Sequence, residues 1–213
     1  MFSAQLPGDQ TEGHAIYKPS VYASKSPSKT WAIRYADGSS ASGTVSYDVV
    51  GLEGIWVMQQ AVEIATHISN NLAHGTGLDG VMGLGFSKLN KGNSMLTKYR
   101  RSVLLFNVSK TGYLVKPERE ETFFENTKSQ LKLPLFAAIL KHNGLGSYDF
   151  GFVNRSRYTG ELSYVDVDSS RGHWSFRASG YDLGSGVITD DPLEGVIGNT
   201  SFLLRSKLHL CGL

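Results

Sequence analysis

Two runs of alternating bulk, Trp31-Ala32-Ile33-Arg34-Tyr35 and Gly43-Thr44-Val45-Ser46-Tyr47-Asp48-Val49-Val50, flank the dipeptide Asp37-Gly38. Alternation marks a strand with one covered face. Asp-Gly between two such runs is a strong short-range hairpin signal. The same pattern recurs along the chain, with strands expected at 60–66, 78–86, 135–140, 148–153, 160–167 and 174–178, and a stray one at 103–108. Composition agrees: 24 Gly, 10 Tyr and 10 Phe suit short strands joined by turns. One helix is expected over 118–130, where acidic residues open the run and Phe123, Phe124 and Thr127 fall near one face. No βαβ rhythm is present, so the chain is read as mainly β with one or two short helices.

Several function classes are disfavoured early. The 213 residues carry a formal net charge of +2, too small to imply a nucleic-acid partner. No apolar stretch approaches the roughly 18 residues that a membrane span needs, so no membrane partner is expected. The six histidines lack metal-ligand spacing, and Cys211 is the single cysteine. Neither metal nor cofactor is expected. Gly75-Thr76-Gly77-Leu78-Asp79-Gly80 fits a dinucleotide-binding pattern, but an apolar strand-like run follows it rather than a helix, so it is read as coincidence. Residues 1–30 are turn-rich and read as surface loop. Residues 91–114 are basic without a clear period and read as a solvated loop rather than an anionic docking site. Sequons stand at Asn107, Asn154 and Asn199, possible glycosylation sites if the chain is secreted. Residues 1–7 do not read as a signal peptide.

A resemblance gives these parts an order. Tyr35-Ala36-Asp37-Gly38-Ser39-Ser40-Ala41-Ser42-Gly43 resembles the flap of the fungal pepsin-like aspartic endopeptidases. Residues 78–86, 133–141, 146–152, 158–164 and 172–176 resemble further segments of that family, in the family's order. The resemblance implies an incomplete pepsin-like bilobal β-barrel. A partial amino-terminal lobe is expected over 1–130, with a foreign-looking insert at about 91–114. The central sheet and the start of the carboxy-terminal lobe are expected over 131–204, and an unrelated tail over 205–213. Joining Asn90 to Val115 gives a continuous family-like stretch, so the insert reads as translated intron and the tail as a shifted frame.

The family's chemistry needs two carboxylates sharing one proton around one water. Like charges that close cannot both ionise; the ionised member takes a proton from the water while the other polarises the peptide carbonyl. Each carboxylate comes from an Asp-Thr/Ser-Gly loop, and no such triplet occurs in these 213 residues. The first loop is expected just upstream of Phe2-Ser3. The second is expected within 195–201, where Gly198 stands in the aspartate's place. No catalytic residue is therefore assigned. Asp37, Asp79, Asp190 and Asp191 are weighed as substitutes and set aside as loop or turn residues.

The resemblance implies that Tyr35, Asp37 and Gly38 belong to a substrate-covering flap, with Ala36 where the family usually has glycine. It further implies secretion and a peptide or protein substrate in complete relatives, and the chain is expected to be a monomer. The leading reading is an aspartic endopeptidase by descent, inactive in this chain. The alternative is a non-catalytic pepsin-fold binding or inhibitor protein.

Overall fold

The computed structural model describes residues 1–35, 37–74, 79–90, 92–94, 119–141, 146–180, 192–197 and 201–204. Within them the chain is mainly β, as expected. Strands β1 (Ser24–Arg34), β2 (Ser40–Leu52) and β3 (Ile55–Ile68) form an antiparallel meander. Strand β5 (Gly92–Ser94) pairs with the other edge of β1, giving the order β3-β2-β1-β5. Three antiparallel pairs complete the described strands. They join β4 (Gly80–Gly83) to β10 (Ser201–Leu204), β6 (Phe136–Ile139) to β7 (Ser147–Phe150), and β8 (Ser175–Ala178) to β9 (Leu193–Val196).

The hairpins at 37–38 and 53–54 have different legibility. Asp37-Gly38 turns the chain where the sequence predicts. The β2–β3 hairpin instead turns at Glu53-Gly54, with φ values of 47° and 84°. Positive φ at both central residues is the two-residue turn that matches strand twist, usually written with Asn or Asp in the first place. Glu53 hides it, so β2 and β3 run longer than the sequence suggests. The loop expected before Thr30 is also strand: β1 begins at Ser24 and shifts register between Ser26 and Thr30, around Pro27. A bulge tolerates proline because a ladder hydrogen bond is already lost there.

Helix α1 (Asn70–Ala73) is a single turn; helix α2 (Phe123–Thr127) is shorter than expected and runs on into a 3-10 turn at Lys128–Gln130. Thr122 sets its start. The Thr122 hydroxyl accepts from Glu125 N–H at 3.3 Å, and the Glu125 carboxylate accepts from Thr122 N–H at 2.9 Å. This reciprocal cap satisfies two end donors and excludes the acidic residues before it from the helix.

Helix α2 divides the core. Phe123 packs with Leu52 and Val57, while Phe124 packs with Leu84 and leans on Phe136, Phe150 and Trp174. Met82 and Phe150 touch both groups. A third cluster, Trp31, Val45 and Ala65, lies within the four-stranded sheet. The pre-helical segment is tied to that sheet by Glu120, which accepts from both Lys29 Nζ and the Tyr47 hydroxyl.

The strand expected at 160–167 does not form. Residues 161–167 are unpaired, and Leu162, Tyr164, Val165 and Val167 are all exposed, Tyr164 at 89%. Alternation favours a strand only when a neighbour covers one of its faces, and no described element covers this one. The expected strand at 103–108 lies outside the described residues, as does most of 91–114.

Candidate functional site

The flap-like hairpin is built by backbone bonds across the turn between β1 and β2. Tyr35 N–H donates to Ser39 O at 2.8 Å, and Gly38 N–H donates to Tyr35 O at 3.1 Å. Gly38 has φ of 83°, the left-handed region that costs an L side chain energy. Asp37 Oδ1 accepts from Ser39 N–H at 2.9 Å and from Ser39 Oγ at 2.6 Å. Ser39 is 2% exposed, so the tip is anchored inward while Asp37 itself faces solvent. Behind the turn, Ser40 N–H donates to Ser69 Oγ and Ser69 N–H donates back to Ser40 O.

Electrostatics follow from these contacts. The Ser39 hydroxyl and amide hold the Asp37 carboxyl below its ordinary range. Burial raises the Tyr35 phenol, and the charges of Glu63 and Asp37 raise it further. Tyr35 therefore stays a neutral hydrogen-bond donor at the edge of the sheet. Ser39 engages Asp37 Oδ1 and lowers the carboxyl's pKa, which makes Asp37 a weak base toward water.

The other carboxylates are each held in separate local networks. Asp48 is 4% exposed and accepts from Tyr17 OH at 2.7 Å, Ser20 N–H at 3.0 Å, Ser20 Oγ and Val49 N–H. Burial alone would raise it, but those donors outweigh burial and hold it at about 2. Asp79 is not the turn residue that Asp-Gly suggests. It is buried immediately before β4, accepts from Ala15 N–H at 2.8 Å, and lies 3.5 Å from His14 Nδ1. His14 in turn stacks on Phe2 at 4.2 Å, and its Nε2 lies 2.9 Å from Ala73 O. Asp79 thus stitches the first loop to β4.

Glu63 was not singled out from the sequence. Burial raises its carboxyl, and the Met1 ammonium and the Asn90 amide partly offset that rise. A signal was present: Ala61, Glu63 and Ala65 alternate onto one face of β3, where a charge is out of pattern. No hydrogen bond joins Asp37, Asp48 and Glu63 to one another.

Gly198, Asp190, Asp191, Asn107 and Asn199 lie outside the described residues, and so does Ala36. Asn154 is described and opens a 3-10 turn. Among the described residues, no three His, Cys, Asp or Glu side chains gather as metal ligands, and no helix is long and apolar enough to cross a membrane.

The family model for eukaryotic aspartyl proteases matches residues 3–206. The chain is 42% identical to an aspergillopepsin-1 of Aspergillus clavatus over 210 residues, covering 98% of this chain and 48% of that protein. It is 43% identical to penicillopepsin-2 of Penicillium janthinellum over 210 residues, covering 98% of this chain and 47% of that protein. The chain therefore spans about half the length of the curated relatives it matches. Its structure superposes on the crystal structure of an aspartic proteinase from Irpex lacteus with a TM-score of 0.54 and 21% identity, covering 78% of this chain and 46% of that one. That likeness fixes the fold as pepsin-like.

Proposed function

This chain belongs to the eukaryotic aspartyl protease family, and from that premise we propose that its 213 residues carry the flap of a secreted aspartic endopeptidase without the carboxylate pair. By themselves they do not cleave peptides. One observation carries this reading: the sequence contains a flap-like motif at 35–43, with Ala36 as its departure, and no Asp-Thr/Ser-Gly triplet. The local engagement of Asp37 and Asp48 supports it, because a dyad needs two carboxylates sharing one proton rather than separate serine-bound sites. A peptide or protein remains the proposed ligand class, since Tyr35 and Asp37 sit on a formed hairpin.

A second reading, a non-catalytic pepsin-fold binding protein, is favoured by that same preformed hairpin. One experiment separates the readings. The purified chain is assayed for protein cleavage at about pH 3 to 5, the range in which a carboxylate dyad holds one proton, with and without a statine-type inhibitor. Absence of cleavage is the expected result. Peptide binding without cleavage, lost in Tyr35→Ala, would favour the binding reading. Inhibitor-sensitive cleavage would overturn the proposal and direct attention to Asp190 and Asp191.

A further inference from the structure

The segment after β7 carries an exposed aromatic ring two residues before a sequon. Asn154-Arg155-Ser156 follows Phe152 and Val153 directly. Asn154 Oδ1 accepts from Ser156 N–H at 3.0 Å and from Ser156 Oγ at 2.8 Å. Among the described residues nothing is bonded to its Nδ2. The amide is thereby polarised through its oxygen. The turn needs only three consecutive residues, so a nascent chain can form it before folding. The Arg155 guanidinium lies 4.8 Å from the Tyr158 ring centroid.

Two residues before Asn154, Phe152 is 46% exposed, and Val153 beside it is 39% exposed. Asn154 has extended backbone, with φ of −80° and ψ of 106°. Two residues of extended chain span roughly 7 Å, which a first sugar can bridge. The flat apolar face of a pyranose ring fits an aromatic ring, which gains from such contact beyond the area covered.

We propose that Asn154 is an N-glycan acceptor and that its first sugar lies against Phe152. In the transfer, Asn154 Nδ2 bonds to C1 of an oligosaccharide carried on a polyprenyl pyrophosphate. The C1–oxygen bond breaks, the polyprenyl pyrophosphate leaves with the electron pair, and Nδ2 gives up one proton to the transferring enzyme. No redox change occurs. The inference rests on the secretory reading above, because donor and acceptor meet in the secretory lumen.

The test expresses the full chain in a eukaryotic host behind a heterologous secretion leader, which makes targeting independent of the chain itself. Microsomal and secreted fractions are both analysed by peptide mass spectrometry. The expected result is a hexosamine-bearing peptide at Asn154, lost in Asn154→Gln and in Ser156→Ala and kept in Ser156→Thr. Enzymatic removal of the glycan should lower Tm by about 2 °C or more with Phe152 present, and by less in Phe152→Ala. An unmodified Asn154 in both fractions overturns the site, and an equal Tm loss in the two backgrounds overturns the role of Phe152. A chain that carries the glycan at Asn154 in the microsomal fraction yet never reaches the medium upholds this site and counts against the secretory reading.

Discussion

Trp174 Nε1–H donates to the carbonyl oxygen of Leu84 at 2.8 Å, across 90 positions of sequence. Leu84 is fully buried, and the Trp174 ring lies 4.5 Å from Phe86 and 5.5 Å from Phe136. The residue that precedes β8 is thereby fastened to the residue that follows β4. Trp174→Phe keeps a ring and removes the donor, with an expected loss of about 1–3 kcal/mol. Trp174→Ala also leaves a cavity, and the expected loss rises to about 3–5 kcal/mol. The urea midpoint, at unchanged slope, reads both.

Asp48 makes stability depend on acid in a defined window. Its folded value of about 2 lies below the ordinary aspartate value of about 3.9. The sign follows from linkage: its contribution is fully present above about pH 4 and is lost as pH falls toward 2. Asp48→Asn should therefore destabilise the chain at pH 6, with a penalty that shrinks below about pH 3. Thermal melts of both proteins across that range check this. A penalty independent of pH would show that packing of the loop at Tyr17 and Ser20, rather than charge, sets the cost.

The cap on α2 separates helix initiation from core packing. Thr122→Ala removes the hydroxyl that accepts from Glu125 N–H, at an expected cost of about 1 kcal/mol. Thr122→Ser keeps that oxygen and should recover most of the loss. Chemical denaturation of the two variants gives the difference directly.

Gly38 tests the backbone of the flap without touching its side chains. A Cβ built at Gly38 meets nothing within 4 Å, so any penalty comes from φ of 83° alone. Gly38→Ala should cost about 1–2 kcal/mol, and Gly38→Asn less, since asparagine tolerates this region. Equal losses in the two variants would indicate that the turn rearranges rather than strains.

Particular elements show how far the sequence could be read. The Asp37-Gly38 hairpin was legible because its turn chemistry and the flanking alternation agree, and agreement between levels is the most dependable local signal. The hairpin at Glu53-Gly54 was hidden by a residue seldom found at positive φ. The start of β1 was hidden by Pro27, which reads as loop unless a bulge absorbs it. Residues 160–167 carry a strand pattern that stays unpaired, because pattern records what a segment can bury and not whether a partner stands beside it.

The sequence by itself determined the β class, the hairpin that carries Tyr35, Asp37 and Gly38, the family, and the absence of an Asp-Thr/Ser-Gly loop from these residues. Those are local facts, written in consecutive residues and turn chemistry. Only the tertiary structure decided that Asp79 is buried against His14 and Ala15, that Asp48 gathers Tyr17 and Ser20, that Glu63 carries a raised carboxyl, and that Phe152, two residues before Asn154, lies open. These depend on burial and on partners tens of residues away, and loop closure brings such groups together without leaving a periodic mark on the chain.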